Sequence, residues 1–460
     1  MIIRPFLKCL SHQLISFTIL AACFAVFLPT TAGADELPPH LVEMESALSH
    51  QQLLIGEAQE LYAAIDITAL QAEVEKRPPM NLALVIDRSG SMRGDRIRQA
   101  RQAALHVVDS LSDQDRLTLV TYGSDHTVEF DSMATTEENR RQMREVIGRL
   151  RAQGGTNLSA GYQAGIDIVA EHHDENAVNR VLLLSDGHAN QGITDPAQLR
   201  SLSRQAFDDG ISTSSIGFGL NYNERLMTGM AVEGSGNYYF VDDSDDLEVL
   251  VATEMTGLSA TVANRIEVLI KPAPGVEVAE VLGFSHRYRD GAAVVALSEL
   301  AAGQSRSIVV RLKAVPRHPQ SMDILTVRTN YRDAINDRLR FRRQSLSASI
   351  TEDASAVQRH LDRDVLTRVE EVRLAQAMDE AMEAYASGDR QQAQQVLRRE
   401  STRSRQLQQD HDLESDQLQL FGEAFEEAER TVESAPASSA EGRRMRMDSS
   451  ATTFEAQRSR

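Results

Sequence analysis

The chain has 460 residues, with 67 Asp or Glu against 48 Lys or Arg, for a formal charge of −19. That charge argues against nucleic acid and anionic membrane surfaces as partners. An aromatic content of 5% without any Trp argues against stacking platforms for single strands or glycans. The first 34 residues have the form of an export signal. Arg4 and Lys8 precede an apolar run from Leu14 to Leu28, and Ala32-Gly33-Ala34 offers a small-x-small cleavage site. The run is shorter than the roughly 20 residues that span a bilayer, which favours cleavage over a retained helix. Leu20-Ala21-Ala22-Cys23 offers a second outcome, a lipoprotein box that would leave Cys23 acylated as the sole membrane anchor. Both cysteines, Cys9 and Cys23, lie in this segment, so cleavage after Ala34 leaves a thiol-free chain. Losing two positive charges with the signal takes −19 to −21. The form of the signal places the protein in a bacterial periplasm or cell envelope. No later segment reads as a transmembrane helix.

Residues 35–79 hold two strand-like stretches, Gln51 to Ile55 and Glu60 to Thr68. From 80 to 256 strands and helices alternate. Met80 to Ile86 is a near-continuous apolar run, as a strand buried on both faces requires. Asp95 to Leu111 carries apolar residues at helical spacing, and Arg116 to Val120 and His126 to Phe130 read as strands broken at Gly123-Ser124-Asp125. Helices over Glu137 to Leu150 and Leu158 to Glu171 precede the buried strand Val181 to Leu184. Pro196 opens a helix with Asp195 as N-cap. Strands Ile211 to Phe218 and Tyr238 to Val241 lead to a helix from Asp245. This alternation predicts an α/β fold with a doubly wound, mostly parallel sheet, in which ligands bind beyond the carboxyl ends of strands. Residues 257–352 read as the strands of an antiparallel β-sandwich. The 35–79 strands are expected to complete it, with an independent N-terminal arm as the alternative. Residues 353–433 read as a helical hairpin or bundle, with Val365 to Tyr385 forming one apolar face. Residues 434–460, poor in apolar residues, read as a disordered tail.

Three short motifs bear on function. Asp87-Arg88-Ser89-Gly90-Ser91 follows the first buried strand, Gly154-Gly155-Thr156 precedes a helix, and Ser185-Asp186-Gly187 ends another buried strand. Hydroxyls and carboxylates without His or Cys are hard oxygen donors, suited to Mg²⁺, with Ca²⁺ or Mn²⁺ as alternatives. Alone, Asp-x-Ser-x-Ser could be a helix cap and turn.

The full set resembles the metal-ion-dependent adhesion site of the von Willebrand factor A (VWA) domain, whose pattern is Asp-x-Ser-x-Ser, then Thr, then Asp. The resemblance covers about 80–255 and includes Gly217-Phe218-Gly219, Asn221-Tyr222-Asn223-Glu224 and Gly236-Asn237-Tyr238-Tyr239-Phe240, as in bacterial secreted proteins of this type. The flanking sandwich is similar to those proteins and to inter-alpha-trypsin inhibitor heavy chains. The resemblance implies a Rossmann-like VWA sheet with Asp87, Ser89, Ser91, Thr156 and Asp186 as metal ligands. It also implies a coordination position left open for an Asp or Glu of a protein partner. Asn221 to Glu224 is expected at the rim of that face or in a loop of local turns. His188 reads as a solvated loop residue and His172-His173 as a helix end. A phosphatase would want a carboxylate where Ser89 stands, and neither a Ser-His-Asp set nor a phosphate-binding Gly-Lys loop is present. The expectation is a metal-dependent adhesion or envelope-scaffolding protein, not an enzyme. The alternative is an assembly protein whose metal only stabilises the fold.

Overall fold

The computed structural model describes residues 40–72, 77–186, 188–220, 222–241 and 247–458. The expected export signal, with Cys9 and Cys23, lies outside them, as do Gly187, Asn221 and the helix start expected at Asp245.

At the centre is a six-stranded sheet in the order His126–Ala134, Arg116–Tyr122, Met80–Asp87, Val178–Ser185, Ser212–Phe218, Ser235–Val241. All neighbours are parallel except the first pair, an antiparallel edge hairpin. Both central strands are buried along all eight residues, hence their unbroken apolar runs. Alternation then divides the side chains. Leu82, Leu84 and Ile86 pack under helices Asp95–Ser110, Glu137–Arg149 and Leu247–Ser259. Ala83 and Val85 pack under Leu158–Glu171, Pro196–Asp208 and Glu224–Glu233. Helix Leu158–Glu171 lies unusually close to the sheet because it presents glycines one turn apart. A Cβ on Gly161 or Gly165 would sit 2.7 Å from Tyr122 or Val85.

The flanking sandwich has two sheets. One runs Val42–Leu48, Gln59–Ala69, Ser305–Ala314, Val276–Leu282, and the register Ile65↔Ile308 zips an early strand to a late one. The other runs His286–Arg289, Ala292–Leu297, Thr261–Pro272, Gln320–Asp333, Arg338–Thr351, Gln52–Leu54. The α/β unit is therefore inserted into the chain of the sandwich. Both sheets share a core that includes Val42, Leu61, Ile65, Val268, Ile308 and Val327.

The C-terminal region differs from expectation in two ways. Helix Arg363–Ala386 is not amphipathic with one buried face. Val365, Val369 and Val372 pack on Tyr62, Ala64 and Val309 of the sandwich, while Met378, Met382 and Tyr385 pack on the following helices. The segment expected to be a disordered tail, 434–460, instead contains helix Ala440–Arg458. With Arg390–His411 and Asp416–Ser434 it completes a bundle that runs past the expected end at 433. The physical reason lies in spacing. Met445 and Ala456 face the bundle, whereas Met447 and Phe454, seven residues apart, enter the core of the α/β unit. Phe454 meets Tyr238 edge-on at 6.0 Å, and Arg446 pairs with buried Glu224. A few apolar residues divided between two partners hold a helix that looks too polar for either. Among the described residues no helix is long and apolar enough to cross a membrane.

Candidate metal centre

Asp87 is the last residue of its strand and Asp186 directly follows the neighbouring one, so parallel pairing sets both at one end of the sheet. Both are fully buried. Ser89 begins a single 3₁₀ turn, Gly90–Met92, which brings the two serines to the same side. Their hydroxyls are 2.9 Å apart. Asp87 Oδ1 accepts the Ser89 N–H at 2.7 Å and its Oδ2 accepts the Ser185 hydroxyl at 3.1 Å. The Ser91 hydroxyl donates to Asp186 Oδ1 at 2.7 Å. Four of the five expected residues thus form one hydrogen-bonded chain.

Thr156 is brought in through the backbone. Gln153 N–H donates to the Arg88 carbonyl at 2.6 Å and Gly90 N–H to the Gly154 carbonyl at 3.0 Å, so the two loops are stitched together. Asn190, on the loop after Asp186, locks Thr156 from the other side. Its Oδ1 accepts the Thr156 N–H at 2.9 Å and its own N–H donates to the Thr156 carbonyl at 3.0 Å. Asn157 caps the following helix by accepting the Ala160 N–H.

Charge is unbalanced here. Burial, reinforced by the neighbouring Asp186 charge and opposed by the Ser89 and Ser185 hydrogen bonds, pushes the Asp87 carboxyl up to about 6. Burial and then the Asp87 charge also hold the Tyr122 phenol beneath it well above its usual value. Against the two carboxylates stands Arg96, whose Nη1 donates to Asp186 Oδ2 at 2.7 Å. Its side chain is 32% exposed. Ser89 and Thr156 are buried, while Ser91 is exposed and marks the open side.

The donor set fits a hard divalent cation. It is all oxygen, it holds two desolvated carboxylates with one counter-charge, and the Ser89 and Ser91 hydroxyls meet 2.9 Å apart beside Asp186. Among the described residues no group of three His, Cys, Asp or Glu side chains forms a metal cage. A cation here would therefore depend on the hydroxyls.

Sequence reasoning missed Arg96, Ser185 and Asn190. Arg96 sits five positions after Ser91 in the first turn of helix Asp95–Ser110, and that offset was its only local signal. Elsewhere, His188 is exposed, as a solvated loop residue would be. Tyr222 is buried, and Asn223 accepts the Leu226 N–H as the cap of helix Glu224–Glu233. Glu224 is buried and pairs with Arg446 of the C-terminal helix.

Residues 81–253 match the family model of the von Willebrand factor type A domain. Over 212 residues the chain is 32% identical to the uncharacterised protein YfbK of Escherichia coli (strain K12), covering 46% of this chain and 36% of that one. It is 29% identical over 234 residues to inter alpha-trypsin inhibitor, heavy chain 4, of Mus musculus, covering 48% of this chain and 24% of that one. The chain thus spans only a part of the length of these relatives. A solved von Willebrand factor type A protein from Catenulispora acidiphila has a TM-score of 0.70 at 18% identity, over 84% of this chain and 88% of that one. That likeness concerns the fold alone. The chain contains a VWA domain of α/β fold, accompanied by a β-sandwich and a C-terminal helical region.

Proposed function

We propose that this is an exported protein of the bacterial envelope that binds Mg²⁺ through Asp87, Ser89, Ser91, Thr156 and Asp186. Ca²⁺ or Mn²⁺ would suit the same oxygens. An Asp or Glu of a protein partner completes the coordination, so the protein adheres or scaffolds and catalyses nothing. The observation that carries this is the pairing of two buried carboxylates with converging hydroxyls on a face that stays open at Ser91. Asp87 and Asp186 would anchor the ion directly or through water, Ser89 and Ser91 would ligate it, and Thr156 would engage when the partner arrives. With few formal charges supplied by the chain, the ion keeps its appetite for an anionic ligand. Export rests on the form of residues 1–34.

The test is capture of envelope proteins by the purified exported chain in Mg²⁺, in EDTA and with Asp87→Ala. A partner held in Mg²⁺ and lost in both other conditions is the expected result. Partners indifferent to both would move the function to the sandwich or the helices.

A further inference from the structure

Beside the metal face lies a cleft of about 480 Å³ lined by Arg88, Thr127, Glu129, Arg149, Arg151 and Gln153. The loops that build the candidate metal centre also build this cleft. Arg88 stands between Asp87 and Ser89, and Gln153 stands three residues before Thr156. The bond from Gln153 N–H to the Arg88 carbonyl closes the seam between them.

Three guanidiniums meet one carboxylate there. Arg88 donates to the hydroxyls of Thr121 at 3.1 Å and Thr127 at 3.3 Å, and Arg151 donates to the carbonyls of Gly148 and Leu150. These neutral oxygens orient the two side chains without neutralising them. Arg149 has a carboxylate partner, Glu145 one helical turn away, but the two are 73% and 62% exposed. Such a pair holds little charge out of circulation. Glu129 accepts the Thr121 hydroxyl at 2.8 Å and offsets one charge of the three. A chain of charge −19 therefore keeps a local positive excess next to the place where an anion would dock.

We propose that this cleft is a second anion subsite, so that the partner is an extended segment carrying two acidic side chains. One sits on the ion and the other in the arginine cleft, where planar guanidiniums suit a carboxylate better than ammonium groups would. The loop from Gln153 to Thr156 covers at most about 10 Å, the reach of roughly three residues of extended chain. The second acid accordingly lies a few residues from the first. This inference rests on the metal bridge proposed above.

Fluorescence anisotropy with short labelled Gly/Ser peptides separates the two. One peptide carries a single Asp; the other adds a Glu about three residues further on. In Mg²⁺ the second acid should tighten binding by about three- to tenfold, as partly exposed charge-assisted contacts do. That gain should vanish in the double variant Arg149→Gln with Arg151→Gln, which should melt like the native chain and bind the single-Asp peptide unchanged. Equal affinity of native protein for both peptides overturns the second subsite and leaves the metal bridge standing. A two-acid gain that survives EDTA keeps the cleft and overturns the bridge. Failure of both peptides to bind in Mg²⁺ overturns both.

Discussion

Strand Val178–Ser185 carries a buried charge cluster at each end, and the two differ in kind. At its start Arg180, 1% exposed, pairs with Glu254 and Glu299 and donates to the hydroxyls of Ser212 and Ser214 at 3.0 and 2.9 Å. Glu254 also accepts from Ser214, Asn237 and Tyr239. Despite its burial, Arg180 and these donors hold Glu254 below the usual carboxylate range. Arg306 lines the same small cavity and brings the count to two charges of each sign. At the other end Asp87 and Asp186 face one guanidinium that is about a third exposed, and Ser91 opens to solvent. The first cluster is closed and balanced, and it joins the VWA domain to the sandwich through Glu299. The second is open and one positive charge short. A balanced cluster has nothing left to recruit, whereas a deficient one beside solvent calls for a cation.

The largest expected effect comes from breaking the closed cluster. Arg180→Met leaves two buried glutamates without their main counter-charge, and should lower unfolding free energy by about 3–5 kcal/mol. Urea unfolding monitored by circular dichroism checks this, and the loss should be the same in Mg²⁺ and in EDTA. The open cluster should respond to the ion instead. Mg²⁺ at a hundredfold over its dissociation constant should raise native stability by about 2.7 kcal/mol. Asp87→Asn should abolish that rise. A native chain that melts identically in Mg²⁺ and EDTA would erase the contrast between the two ends.

A third effect tests the charge deficit without metal. The Asp87 carboxyl is raised to about 6 in the folded chain, above its unfolded value of 3.8. The folded state thus holds the proton more tightly, and ionised Asp87 opposes folding. Its cost is fully present above pH 6 and is relieved as the pH falls through 6 towards 4. In EDTA at pH 8, Asp87→Asn should therefore be more stable than the native chain by about 1–3 kcal/mol. The gap should close by about pH 4. Thermal melts across that range decide it.

How much of this was legible beforehand depended on the range of the interaction. Buried strands betray themselves by unbroken apolar runs, so Met80–Asp87 and Val178–Ser185, and the acids at their ends, could be placed from sequence. Strand Val42–Leu48 was overlooked because Glu43 and Glu45 interrupt an edge strand that buries few residues. Asn221 to Glu224 read as a rim or a loop of local turns, whereas Asn223 caps helix Glu224–Glu233, and Asn223 followed by Glu224 is a helix-start signal. Helix Ala440–Arg458 was hidden because the hydrophobicity of a window presumes one buried face, while Met445 and Met447 serve different domains. Arg96 was hidden for a deeper reason. Its partner Asp186 lies 90 residues away, and no local pattern announces such a pair.

Arg96 also supplies the smallest and sharpest test, because it could belong to either kind of cluster. If its guanidinium is a fixed counter-ion like Arg180, Arg96→Gln should weaken the fold whether or not Mg²⁺ is present. If it stands in for the cation the site lacks, two opposite changes should follow. In EDTA the variant should lose only about 0.5–1 kcal/mol, since the arginine is 32% exposed and water screens much of its attraction. In Mg²⁺ the ion should supply the missing charge, so the loss should disappear. Removing a positive charge from beside Asp186 should also tighten Mg²⁺ binding, by about two- to fivefold for a contribution of that size. Calorimetric titration with Mg²⁺ against native and Arg96→Gln chains measures the second change, and paired melts measure the first. Weaker Mg²⁺ binding in the variant would make Arg96 part of the framework that holds Asp186 in place, and the two ends of the strand would then be more alike than their charge counts suggest.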